Sequence, residues 1–356
     1  MPHYIRFLKP PRVVSVAGDR KSKAARAVTA LITITTDLGD AFLAEDVDVI
    51  GTLHVDAGNG KACSFRKEAR WKETDRELTI AIPVPAAGIT ARTAQLSVRA
   101  AGFAEHPADP VASCRIVSAW SGPLAWQEGA QAERLVQRRL DVGTAPELRI
   151  WEETGNSIAR HIWDAALACV MGIHRSVTGR GDSGTVPALR ALVDDRDGRS
   201  RRSVIELGTG CGIVGIALAQ MVPRCSVYLT DLEEARPMVR RNVECATLAP
   251  GSTVQFDVLD WDEELRADVR GRHHDLVVVS DCTYNADRMP SLVRTLQALG
   301  RSSPRGWVLV ALKRRHDSEA VFFTLMAAAG FRVHGNPATL LDDGRIETYC
   351  FCLDAS

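Results

Sequence analysis

Glycines, carboxylates and aromatic side chains recur at intervals along the second half of the chain that would suit a nucleoside-bearing ligand. The stretch VIELGTGCGIVGIALAQ, Val204–Gln220, contains two overlapping glycine patterns, Gly208-x-Gly210-x-Gly212 and Gly210-x-Gly212-x-x-Gly215. Either closes a tight turn after a strand and lets the backbone approach a ligand that a Cβ would hold away. The glycines alone do not choose between a dinucleotide and another nucleoside. Glu206 stands just before the loop, where its carboxylate either accepts a hydrogen bond from a ligand amine or braces the loop's own amides. Both roles stay open. Asp231 ends VYLTD, about twenty residues beyond the glycines, the place for a carboxylate that holds ribose hydroxyls. It serves either ligand. FDVLDWD supplies Asp260 and Trp261, a carboxylate for an exocyclic amine beside an indole on which adenine can stack. SDCTYN then places Asp281 and Tyr284 in a D-x-x-Y arrangement, toward the end of a bound ligand opposite its adenine. An isolated tryptophan more often covers a core edge, and an isolated strand-end aspartate is as often a turn residue. Their shared position at strand ends is what makes them candidates.

The elements that would carry these residues alternate. Hydrophobic patterning predicts strands at Ser203–Leu207, Ser226–Thr230, Thr253–Phe256, Asp275–Ser280 and Trp307–Leu312. Helices are predicted at Gly212–Met221, Ala235–Leu248, Met289–Leu299 and Ser318–Ala329. Such alternation implies a parallel sheet with helices on both faces, and ligands bind beyond the carboxyl ends of its strands. Two last strands, Phe331–His334 and Glu347–Leu353, have only a turn at Asp342–Gly344 between them and should form an antiparallel hairpin at the sheet edge. Five parallel strands ending in a hairpin are not the usual dinucleotide layout, and they favour a methyltransferase. Gly155–Cys169 is amphipathic, with Ile158, Ile162, Ala166 and Cys169 on one helical face. The run Lys313–His316, KRRH, reads as solvated charge more readily than as the lining of a substrate entrance. His273 and His274 fall in a polar loop, and the RGD within Gly179–Gly184 reads as chance.

The first third has another character. Ala27–Thr36, Val47–Val55, Leu78–Val84 and Thr93–Val98 are short, β-branched or alternating, with turn signals at Asp56–Gly60 and Ala86–Gly88. They predict a small antiparallel sandwich or barrel. His54 lies in an alternating strand, where a buried structural role is the expectation. Gln127–Arg139 is rich in helix formers and predicts a connecting helix, closed by a turn at Gly143–Pro146.

Bulk properties exclude several classes. The 356 residues suffice for two domains, with 46% hydrophobic and 25% charged residues, ordinary for a soluble globular protein. Lys+Arg and Asp+Glu are 44 each, so no global charge draws the chain to nucleic acid or to an anionic membrane. The nine cysteines form no paired C-x-x-C, and the pair Cys350 and Cys352 lacks further soft ligands, so no metal site is expected. Reduced thiols point to the cytoplasm or the nucleus. The N-terminus MPHYIRFLKPP lacks the apolar core of a signal peptide, and no window approaches the ~18 apolar residues of a membrane helix.

In this order the motifs identify a family resemblance. Trp151, ELGTGCGIVG, TDL with the following P and RRN, LDW, SDCTYN and ALKRRHDSEAVFF resemble the family-16 methyltransferases, a seven-β-strand group containing many protein lysine methyltransferases. The resemblance covers Ile150–Cys352. It implies an α/β, Rossmann-like, seven-stranded domain dependent on S-adenosylmethionine over residues 150–356. A connecting helical segment at 119–149 and a β-rich N-terminal domain at 1–118, with a possible part in substrate recognition, would precede it. It implies cofactor contacts from Trp151, the glycine loop, Asp231, Trp261 and Ser280, with Asp281 and Tyr284 near the methyl acceptor. The expected activity is N-methylation of lysine in a protein substrate. A small-molecule acceptor and a non-catalytic interaction module are the alternatives.

Overall fold

The computed structural model describes residues 1–16, 25–56, 62–84, 93–102, 115–142, 146–153, 160–179, 186–194, 201–316, 319–335, 341 and 346–354. The turns expected at Ala86–Gly88 and Asp342–Gly344, most of those at Asp56–Gly60 and Gly143–Pro146, and the RGD triplet lie outside them. The chain forms two units, one of residues 1–141 and 149–161, the other of 142–148 and 162–356.

The first unit is β-structure. Its strands are β1 (His3–Val16), β2 (Ala25–Thr35), β3 (Val47–Asp56), β4 (Ala62–Trp71), β5 (Leu78–Val84), β6 (Thr93–Ala100), β7 (Ile116–Val117), β8 (Ala119–Ser121), β9 (Leu124–Ala125), β10 (Leu135–Leu140) and β11 (Leu148–Glu153). They make one sheet in the order β5-β2-β1-β7 and a second in the order β11-β10-β8-β6-β3-β4, with β9 beside β6. The two sheets share one core: Ile5, Ile32 and Ile34 from the first are clustered with Leu53, Leu96 and Val98 from the second. Each such fully buried aliphatic side chain contributes about 1.5–3 kcal/mol. Gly51 on β3 allows the close approach, because a Cβ there would lie 2.6 Å from Ile80 Cγ2 on β5. His54 is half-buried, stacked on Trp120 at 4.9 Å and hydrogen-bonded to Ser97, a packing role as expected.

The connecting helix expected over 119–149 does not form. That segment carries β8, β9 and β10, and Val136 and Gln137 pair antiparallel with Ser121 and Trp120. Helix propensity is a weak prior, and here sheet pairing plus a buried charge overrides it. Arg138, 0% exposed, donates from Nε to Glu152 on β11 at 2.7 Å and from Nη1 to the carbonyls of Ile5 and Ser118. The β-structure therefore runs beyond the expected boundary, and Ile150 and Trp151 belong to β11 of this unit.

The second unit is α/β. Its strands are β12 (Arg202–Leu207), β13 (Cys225–Asp231), β14 (Thr253–Val258), β15 (Leu276–Ser280), β16 (Trp307–Lys313), β17 (Phe331–Val333) and β18 (Ile346–Leu353). Its helices are α1 (Asp164–Thr178), α2 (Pro187–Val193), α3 (Ile213–Met221), α4 (Arg236–Cys245), the single turn α5 (Ala267–Arg270), α6 (Met289–Ser302) and α7 (Ala320–Ala328). The sheet order is β14-β13-β12-β15-β16-β18-β17. The first five strands pair in parallel, and β18 is antiparallel to both β16 and β17. The final pair is thus antiparallel as expected, but β18 inserts beside β16 and leaves the short β17 at the edge. IETYCFCL explains this: five of its eight residues are buried, which only an interior strand needs, whereas FRV buries Phe331 alone. Helix α1 begins at Asp164 rather than Gly155, and residues 154–159 lie outside the description. An acidic first residue suits a helix N-terminus, and Asp164 is also held by Lys313 Nζ at 2.6 Å. Among the described residues no helix is long and apolar enough to cross a membrane.

Candidate active site

The glycine loop follows β12 and runs into α3. Gly208, Gly210 and Gly212 all have positive φ, 66°, 54° and 81°, a region that side chains with a Cβ disfavour. At Gly208 the packing adds a second demand: a Cβ would lie 2.6 Å from Cys282 Sγ and 3.2 Å from Trp261 Cζ2. The loop is therefore in contact with the ends of β14 and β15 through those two side chains. Glu206 resolves to the bracing role. Its Oε2 accepts from the Thr209 hydroxyl at 2.8 Å and from the Gly215 amide at 2.9 Å. Burial pushes its carboxyl up to about 7, with those two hydrogen bonds opposing and Asp231 adding to the rise.

Asp231 closes β13. Its Oδ2 accepts the Gly210 amide at 2.7 Å and its Oδ1 the Leu232 amide at 2.8 Å. The side chain ties the loop to the second strand, and each oxygen keeps acceptor capacity for a ligand hydroxyl. Burial raises its carboxyl above the usual range while the two amides oppose that. Beyond β14, Asp260 Oδ1 accepts the Asp262 amide at 2.9 Å, and Trp261 is half-buried with its ring edge against Gly208. Ser280 ends β15 with its Oγ buried beside the Cys169 thiol, and among the described residues only that weak donor and acceptor is near it. A buried hydroxyl left this way calls for a ligand or a water.

Asp281 is the departure from simple expectation. It is 8% exposed and adopts φ 57°, unusual for a residue with a side chain though tolerated by aspartate. Both of its oxygens are taken by Arg315, from Nη1 to Oδ1 at 2.7 Å and from Nη2 to Oδ2 at 2.8 Å. Tyr284 of the same motif is 59% exposed. The D-x-x-Y pair therefore comprises one buried, paired carboxylate and one phenol facing solvent.

The charged run KRRH, which begins with the last residue of β16, is only partly solvated: Arg314 and His316 are exposed, while Lys313 is buried and Arg315 is largely covered. Lys313 is buried and pairs with Asp164; Arg314 reaches Glu347 and the Tyr349 hydroxyl; Arg315 holds Asp281. Glu319 caps this turn, accepting the Arg315 and His316 amides at 3.1 and 3.2 Å. Reading the sequence missed these partners. The available signal was position: three cations directly after the apolar strand WVLVAL stand where a parallel sheet presents its ligands. His274 is likewise not a loop residue in function, since it is 1% exposed and hydrogen-bonded to Ser203.

The structure thus gathers Glu206, Gly208, Gly210, Gly212, Asp231, Asp260, Trp261, Ser280, Asp281 and Tyr284 along the carboxyl ends of β14, β13, β12 and β15, adjacent in that order. Trp151 lies in β11 of the other unit and is 6% exposed. The positive-φ loop, the free acceptor capacity of Asp231 and the buried Ser280 hydroxyl, with only a thiol beside it among the described residues, fit an adenosyl ligand.

Comparison with known proteins agrees. A family model described as lysine methyltransferase matches residues 143–329. The chain is 34% identical over 186 residues to a UPF0665 family protein of Schizosaccharomyces pombe, covering 51% of this chain and 50% of that one. It is 29% identical over 211 residues to protein-lysine N-methyltransferase EFM6 of Saccharomyces cerevisiae, covering 54% and 79%. It is 31% identical over 185 residues to EEF1A lysine methyltransferase 3 of Mus musculus, covering 51% and 68%. The chain spans half the length of the first of these relatives, and most of its own β-rich unit lies outside the family match.

Proposed function

The chain belongs to the lysine methyltransferase family, and we propose that it transfers a methyl group from S-adenosylmethionine to the side-chain amine of a lysine in a protein substrate. The observation that supports this best is the placement of the glycine loop, Asp231, Trp261 and Asp281 at the ends of four neighbouring strands. When bound, the cofactor supplies an electrophilic methyl group on a sulfonium. The chain's own residues then have binding and positioning to do. The loop amides and Asp231 hold the ribose side, Asp260 and Trp261 the adenine, and the Ser280 hydroxyl remains for a further polar contact. Asp281 accepts a hydrogen bond from the acceptor amine and Tyr284 walls its approach.

Direct displacement needs alignment more than an acid–base relay, and holding the reacting groups in line supplies about 7–11 kcal/mol. A lysine amine has an ordinary pKa of about 10.4 and must arrive without its proton to act as nucleophile. Positive charge beside the approach favours that form. The free state of the described cysteines supports work in a reducing compartment, cytoplasm or nucleus.

The test is transfer of labelled methyl from S-adenosylmethionine into total protein of a cell lysate, followed by acid hydrolysis and chromatography of the amino acids. Label in methyllysine is expected. Label confined to small molecules, or to another amino acid, would overturn the reading.

A further inference from the structure

We propose that Arg315 is a positioning residue that keeps the Asp281 carboxylate oriented and neutralised, so that the site accepts a neutral amine and refuses an ammonium ion. This rests on the reading that Asp281 meets the acceptor amine. The fork is two-pronged, at 2.7 and 2.8 Å, with side chains 18% and 4% exposed. Its neighbours in KRRH are turned elsewhere, Lys313 to Asp164 and Arg314 to Glu347 and Tyr349. The Arg315 guanidinium also stands 5.3 Å from the Trp163 ring and lines a cavity of about 400 Å³, walled on its apolar side by Leu312, Ala320 and Phe323. An aliphatic side chain carrying a terminal amine fits that lining, and the guanidinium that lines the cavity is the one that holds Asp281.

The chemistry follows from charge. A bare buried carboxylate would bind ammonium tightly and hold the acceptor in its unreactive form. A carboxylate already paired with a guanidinium retains lone pairs for an N–H, but its attraction for a second cation is largely cancelled. The nearby positive charge also disfavours protonation of the amine, which sheds its proton to solvent before it docks. A lysine at position 315 would carry the charge without the fork; a glutamine would carry neither.

Other titratable groups face this pair and are accounted for. From α1 come Asp164, paired with Lys313, and the Cys169 thiol. From the β15 end come Cys282, which feels Asp231, Asp281 and Glu206, and Tyr284, which feels Cys282, Asp231 and Asp281. Glu319 is occupied by backbone amides and the Thr283 hydroxyl, and His316 lines the cavity.

Two readouts on the full chain test the proposal. The first is the pH dependence of kcat for methyllysine formation in lysate protein. Arg315→Gln should move its acidic limb upward by about one pH unit or more. Arg315→Lys should leave the limb in place, and so should His316→Asn. The second needs no turnover: calorimetric titration with n-butylamine, a cation at neutral pH, in the presence of S-adenosylhomocysteine. Arg315→Gln should bind it about ten-fold tighter than the wild type, and Arg315→Lys within about two-fold of the wild type. A merely structural role would not create affinity. An unmoved limb with unchanged butylammonium binding in Arg315→Gln would overturn the proposal, as would equal shifts in Arg315→Lys or a shift that follows His316→Asn instead. Should Arg315→Gln fail to bind S-adenosylhomocysteine, Arg315→Lys and the wild type decide: tight butylammonium binding by the wild type overturns the proposal. Absence of methyllysine with the wild type would instead sink the lysine reading, while the butylammonium titration still reports on the fork.

Discussion

Two glutamates, one in each unit, are fully buried and pushed in opposite directions. Glu152 in β11 is held down to about 2, because the Arg138 guanidinium and the nearby His161 and Arg6 outweigh the burial that would raise it. Glu206 at the end of β12 is pushed up to about 7, because burial faces only a hydroxyl and one amide, with Asp231 close by. Burial is common to both, so the partners decide the charge. In the β-rich unit a full ion pair fastens β10 to β11 while the same guanidinium reaches the carbonyls of Ile5 and Ser118. In the α/β unit the carboxyl only has to brace a loop, and a second full negative charge beside Asp231 would work against binding there. One glutamate fastens the fold. The other shapes the site.

The largest effect should come from breaking the fastener. Glu152→Gln leaves Arg138 buried without its counter-charge, and one-sided removal of such a pair costs about 3–5 kcal/mol. Urea denaturation of the full chain should show that loss at neutral pH. The sign with pH follows from the lowered value: the stabilisation is complete above the ordinary 4.5 and disappears as pH falls toward 2. The deficit of Glu152→Gln relative to wild type should therefore shrink in acid. A deficit that stays constant from neutral pH down to acid would show that the glutamate was never charged.

Glu206→Gln should behave in the opposite sense. Its value is raised above 4.5, so wild-type burial is least unfavourable below 4.5 and becomes more so as pH climbs through 7. The amide oxygen can still accept from Thr209 and Gly215, and the variant should gain on the order of 2–3 kcal/mol relative to wild type between acid and mildly alkaline pH. Denaturation at both ends of that range measures it. A gain that is flat with pH would remove the contrast with Glu152.

Asp231→Asn sharpens the functional side of the comparison. It keeps an acceptor for one backbone amide but loses the charge-assisted pair of bonds, worth about 1–3 kcal/mol to a ligand hydroxyl and the loop together. S-adenosylmethionine affinity by calorimetry should fall roughly 10-fold to 100-fold, with little change in denaturation midpoint. Unchanged affinity would contradict the ribose assignment.

The contrast also explains what could be read from the sequence. Gly208, Asp231, Trp261 and Asp281 were legible because each follows an apolar strand at a short, fixed offset, and the parallel sheet turns that offset into a shared location. Arg138 and Glu152 were not. They are 14 residues apart, their pairing depends on strands laid side by side, and Gln127–Arg139 looks helical until that pairing exists. The same holds for Arg315 and Asp281, 34 residues apart just beyond the ends of the neighbouring strands β16 and β15. The order of β17 and β18 was hidden for a related reason: composition marks IETYCFCL as the better buried strand, but not that it inserts beside β16. Local motifs announce where backbone meets ligand, whereas side-chain partners across strands are settled by topology.

The smallest expected effect tests whether pairing or burial carries the difference. Arg66–Glu68 on β4 and Arg240–Glu244 on α4 are ion pairs at 2.8 and 3.0 Å, distances close to that of the Arg138 pair, but their side chains are 54–78% exposed. Water screens them, and ordering two long side chains offsets what attraction remains. Arg66→Gln and Arg240→Gln should each change stability by no more than about 0.5 kcal/mol, equally in the two units. If either matched the loss of Glu152→Gln, geometry alone would account for the fastener, and the opposite charge states of Glu152 and Glu206 would say nothing about their separate tasks. If both are silent, the distinction rests on what surrounds a buried carboxyl: a guanidinium where strands must be held, and a hydroxyl and an amide where a loop must stay open to a ligand.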